Sequence, residues 1–136
     1  MNIVPFHVEH LQGLALQPMQ AGSPLVAPEQ AGLLGHAFTA LDDGKPIACA
    51  GLYEIWPGRA LAWTYLGVDS GPKFVALHRE VRRHLDAAPW RRVEAYVEAG
   101  FANGHRWVLA LGFEFEGLLR GFMADGRDMA LYARVR

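Results

Sequence analysis

A glycine between a predicted strand and a predicted helix provides the clearest binding chemistry in this chain. Gly71 precedes Pro72 and Lys73, where an apolar strand pattern changes to a helical one. The first N–H groups of a helix have no partner within it, and with the helix dipole they favour an anion such as a pyrophosphate. Gly71 permits close approach and Lys73 adds positive charge, so this turn is a candidate anion site. The alternative is a plain strand-to-helix turn, since a single glycine before a helix is common.

Three arginines follow on the same predicted helix and are a second, weaker candidate for a phosphate contact. They are Arg79, Arg82 and Arg83. Arginines on an exposed helix face are more often solvated or paired with a nearby acid, here Glu80.

The sequence gives little support to metal or nucleophile chemistry. His7 and His10 stand three residues apart without a third ligand nearby, so we expect no metal. The single cysteine, Cys49, lies in an apolar run and is expected to be a buried packing thiol. It excludes an intramolecular disulfide. No Ser/His/Asp pattern and no Gly-x-Ser-x-Gly elbow occurs.

Length and composition predict one ordinary globular domain over residues 1–136. Hydrophobic residues make up 51% and charged residues 20% of the chain, and the net charge is −1. Such a charge provides no basic field for nucleic acid or anionic membrane, so neither is expected as a partner. No secretory signal pattern and no apolar run of about 20 residues occurs, so we expect a soluble, cytoplasmic protein.

Apolar spacing predicts the elements that must position these residues. Four strands are predicted in the first half, at Ile3–Phe6, His36–Leu41, Pro46–Trp56 and Ala60–Val68. Two helices are predicted between the first two strands. The first begins at Val8 and is ended by Pro18, and the second spans Pro28–Leu34. Asp43-Gly44 is a hairpin signal, because it tolerates the positive φ angles of tight turns.

The second half alternates helices and strands. Its predicted elements are a helix opening near Gly71, a strand at Arg92–Val97, a helix at Phe101–Leu111, and a closing hairpin of Phe113–Leu119 with Asp128–Val135. Strand, helix, strand implies a parallel pair with a right-handed crossover. The predicted fold class is therefore α/β (α+β): a mixed sheet of six or seven strands, in the order βααβββαβαββ, with four helices on its faces.

One stretch, Ala110–Arg120, stands out within this order. Gly112 is expected to end the helix, since glycine enters the left-handed C-cap conformation without a clash. A strand follows at once, in which Phe113 and Phe115 alternate with glutamates.

This stretch closely resembles the C-terminal signature of the GNAT acyltransferase superfamily. The matching residues are the phrase Leu111-Gly112-Phe113 and the later Glu116-Gly117, and the tail Gly121–Tyr132 extends the match. The predicted element order is also that of the superfamily. The resemblance covers the C-terminal third well, the middle partly, and the N-terminal third in element order only.

The resemblance implies an acyl-coenzyme-A-dependent N-acyltransferase, with acetyl-coenzyme A as co-substrate and a small-molecule or peptide amine as acceptor. The pyrophosphate would lie at Gly71, and the strand backbone before it would pair with the pantetheine arm. The implied cofactor-binding residues are Leu66, Gly67, Val68, Ser70, Gly71, Pro72, Lys73, Phe74 and Asn103. The superfamily loop usually carries a glutamine or arginine and two glycines, of which only Gly71 remains here.

The resemblance also implies catalytic positions. Acyl transfer to an amine needs a base, a donor to the oxyanion and an acid for the leaving thiolate. By resemblance, the N–H of Val68 would face the oxyanion. The candidate bases by location are Glu98, at the end of the fifth strand, and His105. The alternative is a solvated strand-end carboxylate at Glu98 and a surface or helix-packing histidine at His105. In the superfamily the general acid is often a tyrosine four residues before the glycine of the signature. That position is Val108 in this chain, and valine has no proton to donate.

Two other interpretations remain open. The chain also resembles small GNAT-like proteins of tailed phages, in Arg91–Ala95, Gly104–Trp107 and Gly126–Asp128. It would then be a catalytically inactive scaffold with a structural or virion-associated role, located in the virion, with a homo-oligomer or virion assembly as partner. The third interpretation is a coenzyme A sensor.

Overall fold

The computed structural model of the protein describes residues 1–14 and 36–136. The strands are β1 (Asn2–Pro5), β2 (Ala37–Asp42), β3 (Lys45–Trp56), β4 (Arg59–Leu66), β5 (Arg92–Glu98), β6 (Glu114–Leu119) and β7 (Met129–Val135). The helices are α1 (Phe74–Ala87) and α2 (Ala102–Ala110), with 3-10 turns at Val8–Gly13 and Gly71–Lys73.

The strands form one seven-stranded mixed sheet in the order β1-β2-β3-β4-β5-β7-β6. β1 pairs with β2, β2 with β3, β5 with β7 and β6 with β7, all antiparallel. β4 and β5 are parallel, with Arg59–Leu61 opposite Arg92–Glu94. The predicted fold class is therefore confirmed, including the antiparallel beginning, the parallel pair and the place of β1 at the sheet edge.

The chain divides into two compact units, of which the first comprises Met1–Glu54 and Ala62–Ala88. Leu77, Val81 and Leu85, which recur at helical spacing, are the buried side chains of α1. The ring of Phe38 in β2 lies 4.7 Å from that of His84 in α1. The amphipathic pattern of the sequence thus fixes which side of α1 is buried.

The second unit comprises Ile55–Leu61 and Pro89–Arg136. A Cβ at Gly104 of α2 would lie 2.7 Å from the ring of Phe101 and 2.8 Å from Val97 of β5. Glycine at this position therefore allows α2 to approach the strand closely, although it lowers intrinsic helix propensity. Gly112 has φ 92° directly after the helix, which confirms the predicted glycine stop.

Two predicted boundaries are wrong. The fourth strand ends at Leu66, not at Val68, because the chain turns at Val68 and Asp69. The predicted helix at Val8 is a 3-10 turn that ends at Gly13, where glycine opposes continuation. Leu14 follows with extended backbone. The part of that helix beyond Leu14 and the predicted helix at Pro28–Leu34 lie outside the described residues.

Candidate functional site

The candidate cofactor loop begins where β4 ends. The N–H of Gly67 donates to the carbonyl of Ile47 in β3 at 2.8 Å. A Cβ at Gly67 would lie 2.8 Å from that carbonyl oxygen and 2.9 Å from the side chain of Leu14, so the approach requires glycine. The N–H of Gly67 is thus committed to β3 and is not free to pair with a ligand.

Ser70 holds the turn together from inside. Its side chain is only 1% exposed. Its hydroxyl donates to the carbonyl of Gly67 at 2.8 Å, and its N–H donates to the same oxygen at 3.2 Å. The predicted cofactor residue Ser70 therefore has its hydroxyl engaged within the turn.

The 3-10 turn at Gly71–Lys73 uses most of its own main-chain donors. Lys73 N–H donates to the carbonyl of Ser70 at 3.1 Å, and the N–H of Phe74 donates to that of Gly71. Pro72 has no N–H. Of the N–H groups of Ser70, Gly71, Lys73 and Phe74, only that of Gly71 has no acceptor among the described residues. The predicted anion site therefore has fewer free donors at this turn than the sequence suggested.

Space and charge at this turn nevertheless suit an anion. In the part of the chain that the structure describes, no heavy atom lies within 4 Å of the position that a Cβ on Gly71 would take. Lys73 has no ion pair within the described part of the chain, and the first turn of α1 carries no acidic residue. The loop's own carboxylate, Asp69, is paired with Lys45 at 3.2 Å.

The arginines of α1 lie over an open groove, and all of its lining residues within the described ranges belong to that helix. The lining residues are His78, Arg79, Arg82, Arg83, Asp86 and Ala87. Arg83 pairs with Glu80, as predicted, and Arg82 lies 3.7 Å from Asp86. This surface is therefore a solvated, partly paired helix face.

Two predicted residues lie where β5 ends and α2 begins. Glu98 accepts a hydrogen bond from the N–H of Gly100 at 3.0 Å, so the carboxylate stabilises the turn after β5. The side-chain oxygen of Asn103 accepts a hydrogen bond from Arg106 one helical turn later.

His105 forms a pair that the sequence did not indicate. Its Nε2 lies 2.9 Å from the carbonyl oxygen of Ala99, which can only accept. A neutral ring therefore carries its hydrogen on Nε2, and the hydroxyl of buried Tyr132 donates to Nδ1 at 2.8 Å. Both ring nitrogens of this candidate base are engaged, and a proton can be taken up only at Nδ1.

Val108 stands where the resemblance would place the tyrosine that acts as general acid. Its side chain is buried in α2. Its carbonyl accepts the N–H of Phe113 at 3.0 Å, which joins the helix end to the chain before β6. A tyrosine introduced here would overfill a packed site, which typically costs about 1–3 kcal/mol.

The most densely bonded polar cluster of the second unit surrounds Glu94, which is 2% exposed. Arg59 donates to its two carboxylate oxygens at 2.7 and 2.8 Å, Arg92 donates at 2.6 Å, and the hydroxyl of Tyr96 donates at 3.0 Å. Burial alone would raise the pKa of Glu94. The hydrogen bonds from Arg59, Arg92 and Tyr96 outweigh this effect and lower the pKa from 4.5 to about 2. The group is therefore a buried carboxylate that is charged at neutral pH.

The cluster continues outward to a second acid and an aromatic ring. Arg92 also binds both carboxylate oxygens of Glu116, at 3.1 and 2.5 Å, and these bonds raise the pKa of its guanidinium. The guanidinium carbon of Arg59 lies 4.3 Å from the ring centre of Trp56. Each charge in the cluster thus has an opposite partner, and the arrangement stabilises the strand pairing rather than leaving a reactive group.

No metal centre forms in the described ranges, since no three His, Cys, Asp or Glu side chains are grouped to hold an ion there. His10 instead places Nδ1 2.7 Å from the hydroxyl of Thr39. Thr39 lies 3.5 Å from the sulfur of Cys49, which is fully buried, as predicted. Burial raises the pKa of this thiol.

Within the same described ranges, neither helix has the length and apolarity needed to cross a membrane.

No protein-family model and no curated protein matches this sequence. Solved structures do resemble its fold. Ard1 from Thermoplasma volcanium superposes with a TM-score of 0.78 at 10% identity, over 98% of this chain and 96% of that one. The ribosomal-protein-alanine N-acetyltransferase from Brucella melitensis has a TM-score of 0.74 at 16% identity, over the full length of both chains.

A third similar structure was solved with its co-substrate. The GNAT superfamily phosphinothricin acetyltransferase from Sinorhizobium meliloti, in complex with acetyl-coenzyme A, has a TM-score of 0.73 at 18% identity. The match covers 98% of this chain and 87% of that one. At these identities the likeness establishes the fold and leaves activity to be argued from the residues.

Proposed function

Starting from the GNAT fold that these likenesses show, we propose that the chain is an acyl-coenzyme-A-dependent N-acyltransferase that uses acetyl-coenzyme A. The acceptor is an amine on a small molecule or peptide in the cytoplasm. The names of the structural neighbours span both kinds of acceptor, since one acts on a ribosomal-protein alanine and another on phosphinothricin.

The observation that supports this proposal most directly is the open, positively charged start of α1. Gly71 has room above it, and Lys73 is left without an acidic partner among the described residues. A pyrophosphate placed there would accept the N–H of Gly71, meet the ammonium of Lys73 and lie at the positive end of the helix dipole. Because only one free N–H remains, Lys73 provides most of the attraction.

Melting curves with acetyl-coenzyme A test the proposal. A ligand that binds only the native state adds about 2.7 kcal/mol at 100 times its dissociation constant. For a chain of this size the melting temperature should rise by roughly 5–10 °C. Gly71→Glu should abolish this rise, because a carboxylate would occupy the pyrophosphate position, and Lys73→Gln should reduce it strongly.

Ala87→Glu is the matched control. It adds the same charge at the exposed far end of α1, about 20 Å from the helix start at 1.5 Å per residue. For each variant, the shift is the difference between its melting temperatures with and without acetyl-coenzyme A. The shift of Ala87→Glu should equal that of the wild type. Equal shifts in Gly71→Glu and Ala87→Glu would contradict binding at the helix start.

For proton transfer we propose Glu98 or His105 as the base, with His105 acting together with Tyr132. If Tyr132 accepts the proton of the acceptor's ammonium, its own hydroxyl proton passes to Nδ1 of His105. Tyr132→Phe removes only the hydroxyl and should lower kcat about 10²–10⁴-fold, while the acetyl-coenzyme A melting shift is retained. An unchanged kcat would remove the pair from the mechanism and leave Glu98.

Turnover is expected to be slow, because Val108 offers no proton to the leaving thiolate. This same residue favours a second candidate, a GNAT-fold protein without catalysis that serves an assembly such as a phage virion. A melting shift without measurable thiol release from acetyl-coenzyme A would instead favour the sensor. Absence of any shift at millimolar acetyl-coenzyme A would leave the structural role.

A further inference from the structure

A short N-terminal segment, His7–Leu14, reaches the start of the cofactor loop, and we call it the strap. It contains the 3-10 turn Val8–Gly13, in which no side chain is buried. Among the described residues, the one hydrogen bond from this turn to another element joins His10 to Thr39 of β2. A segment with so few buried apolar contacts has low local stability, so this bond matters for holding it in place.

The hydrogen-bond partners of His10 determine the direction of each bond around it. The backbone N–H of His7 can only donate, and it lies 3.1 Å from Nδ1 of His10. Nδ1 therefore carries no hydrogen, and the hydroxyl of Thr39 donates to it at 2.7 Å. With its hydrogen used in this way, Thr39 can only accept from the thiol of Cys49, at 3.5 Å.

Burial makes the bond between Thr39 and His10 important to both elements. Thr39 and Cys49 are fully buried, so their polar hydrogens need acceptors within the protein. His10 is the acceptor at the end of this chain of donors. Without it the hydroxyl of Thr39 would lose its partner, which is costly for a buried group, and the strap would lose its bond to β2.

The strap ends against Gly67, where the cofactor loop begins. Leu14 is buried, and its Cδ1 would lie 2.9 Å from a Cβ placed on Gly67. The carbonyl of Gly67 accepts both the hydroxyl and the N–H of Ser70, at 2.8 and 3.2 Å. Ser70 directly precedes Gly71. A displacement of Leu14 would therefore affect Gly67 and, through the bonds of Ser70, the turn proposed for the pyrophosphate.

We propose that His10 is a positioning residue for the cofactor loop. Its bond to Thr39 holds the strap on β2, and the strap in turn keeps Leu14 against Gly67. His10 acts through these residues and not by contact with the cofactor. The inference rests on the proposed function for its ligand, acetyl-coenzyme A, but the effect on the loop is expected without any ligand.

Amide spectra of the ligand-free protein test the link between strap and loop. His10→Ala removes the acceptor and should release the strap. The amides of Gly67, Ser70 and Gly71 should then change their chemical shifts and exchange with solvent faster than in the wild type. His10→Asn should restore them, because its side-chain oxygen is bonded to Cγ, as Nδ1 is, and can accept. Gln12→Ala, at an exposed position of the same turn, is the matched control and should leave these amides unchanged.

Two further variants trace the path. Thr39→Val keeps the branched shape but removes the hydroxyl, so it should change the same loop amides as His10→Ala. Leu14→Ala should change them too, while the amide of His7, which donates to His10, keeps its wild-type signal. The amides of β7, in the other compact unit, are the reference and should stay unchanged in every variant.

Binding of acetyl-coenzyme A gives the second measurement. Isothermal titration calorimetry should show a dissociation constant about tenfold higher in His10→Ala than in the wild type, which is a usual size for coupling between two sites. His10→Asn and Gln12→Ala should have the wild-type constant. If none of these proteins binds acetyl-coenzyme A while the loop amides respond as expected, the proposed function fails and the positioning role is supported.

Other outcomes would overturn the proposal. If His10→Ala changes the amides of the strap but leaves those of the loop and the dissociation constant at wild-type values, the strap and the loop are not coupled. The proposal is also wrong if His10→Asn is folded by circular dichroism and behaves like His10→Ala. Should His10→Ala unfold the chain, unchanged loop amides in both Thr39→Val and Leu14→Ala would overturn it.

Discussion

The start of α1 and the start of β5 both gather charged side chains, but their charges have different partners. Around Glu94, two arginines, a tyrosine and a second glutamate satisfy one another at distances of 2.5 to 3.1 Å. At the start of α1, Lys73 and the N–H of Gly71 have no such partner in the described chain.

Because of this difference, we expect the start of β5 to contribute to stability and the start of α1 to contribute to binding. A buried charge that is fully paired contributes to the fold and has no capacity left for a ligand. A charge beside open space and a helix start costs little to keep unpaired, because water solvates it until an anion arrives. Disrupting the start of β5 should therefore destabilise the protein, whereas disrupting the start of α1 should affect only binding.

The largest effect is expected from Glu94→Gln. The amide keeps the shape but removes the charge, so Arg59 and Arg92 lose their shared buried partner. Breaking such a pair typically costs about 3–5 kcal/mol. Urea denaturation measures the loss, with the exposed Glu9→Gln as control, expected within about 0.5 kcal/mol. A loss below 1 kcal/mol in Glu94→Gln would show that the cluster is not structural.

Leu77→Ala should come next, with a loss of about 2–5 kcal/mol, because Leu77 is fully buried and truncation leaves a cavity. Arg82→Ala on the exposed face of the same helix should cost within about 0.5 kcal/mol. The same denaturation experiment compares them. Similar losses in both variants would mean that the buried face of α1 is assigned wrongly.

Acid should weaken the β5 cluster through Glu94. The pKa of this group is lowered from 4.5 to about 2 in the folded state, so its contribution is fully present above about pH 4.5. It is lost as the pH falls from 4.5 towards 2, in total about 3 kcal/mol at 1.36 kcal/mol per pKa unit. Unfolding free energies measured over this range should fall less steeply in Glu94→Gln, and an identical slope would contradict the assignment.

The sequence predicted those features that depend on local chemistry. Asp43 and Gly44 have φ angles of 51° and 77°, as the hairpin signal required, and Gly112 ends α2. The sequence predicted a strand over Arg92–Val97 but did not indicate that Glu94 within it is buried. Its burial depends on Arg59, which comes from another strand whose register no local pattern specifies.

The candidate site shows the same division. Gly71 and Lys73 could be identified because a strand-to-helix change marks them locally. The pairing of His105 with Tyr132 could not, because 27 residues separate them and only the fold brings them within 2.8 Å. The loss of free N–H groups at the turn depends on the 3-10 geometry, which helix spacing alone does not reveal.

In the proposed function, the start of α1, and not the start of β5, receives the pyrophosphate of acetyl-coenzyme A. A ¹H–¹⁵N correlation spectrum recorded during titration with acetyl-coenzyme A observes both regions at once. The amides of Gly71 and Lys73 should shift and saturate, while those of Arg92 and Glu94 should stay unchanged. Shifts confined to the β5 cluster, or none at millimolar acetyl-coenzyme A, would contradict the claim.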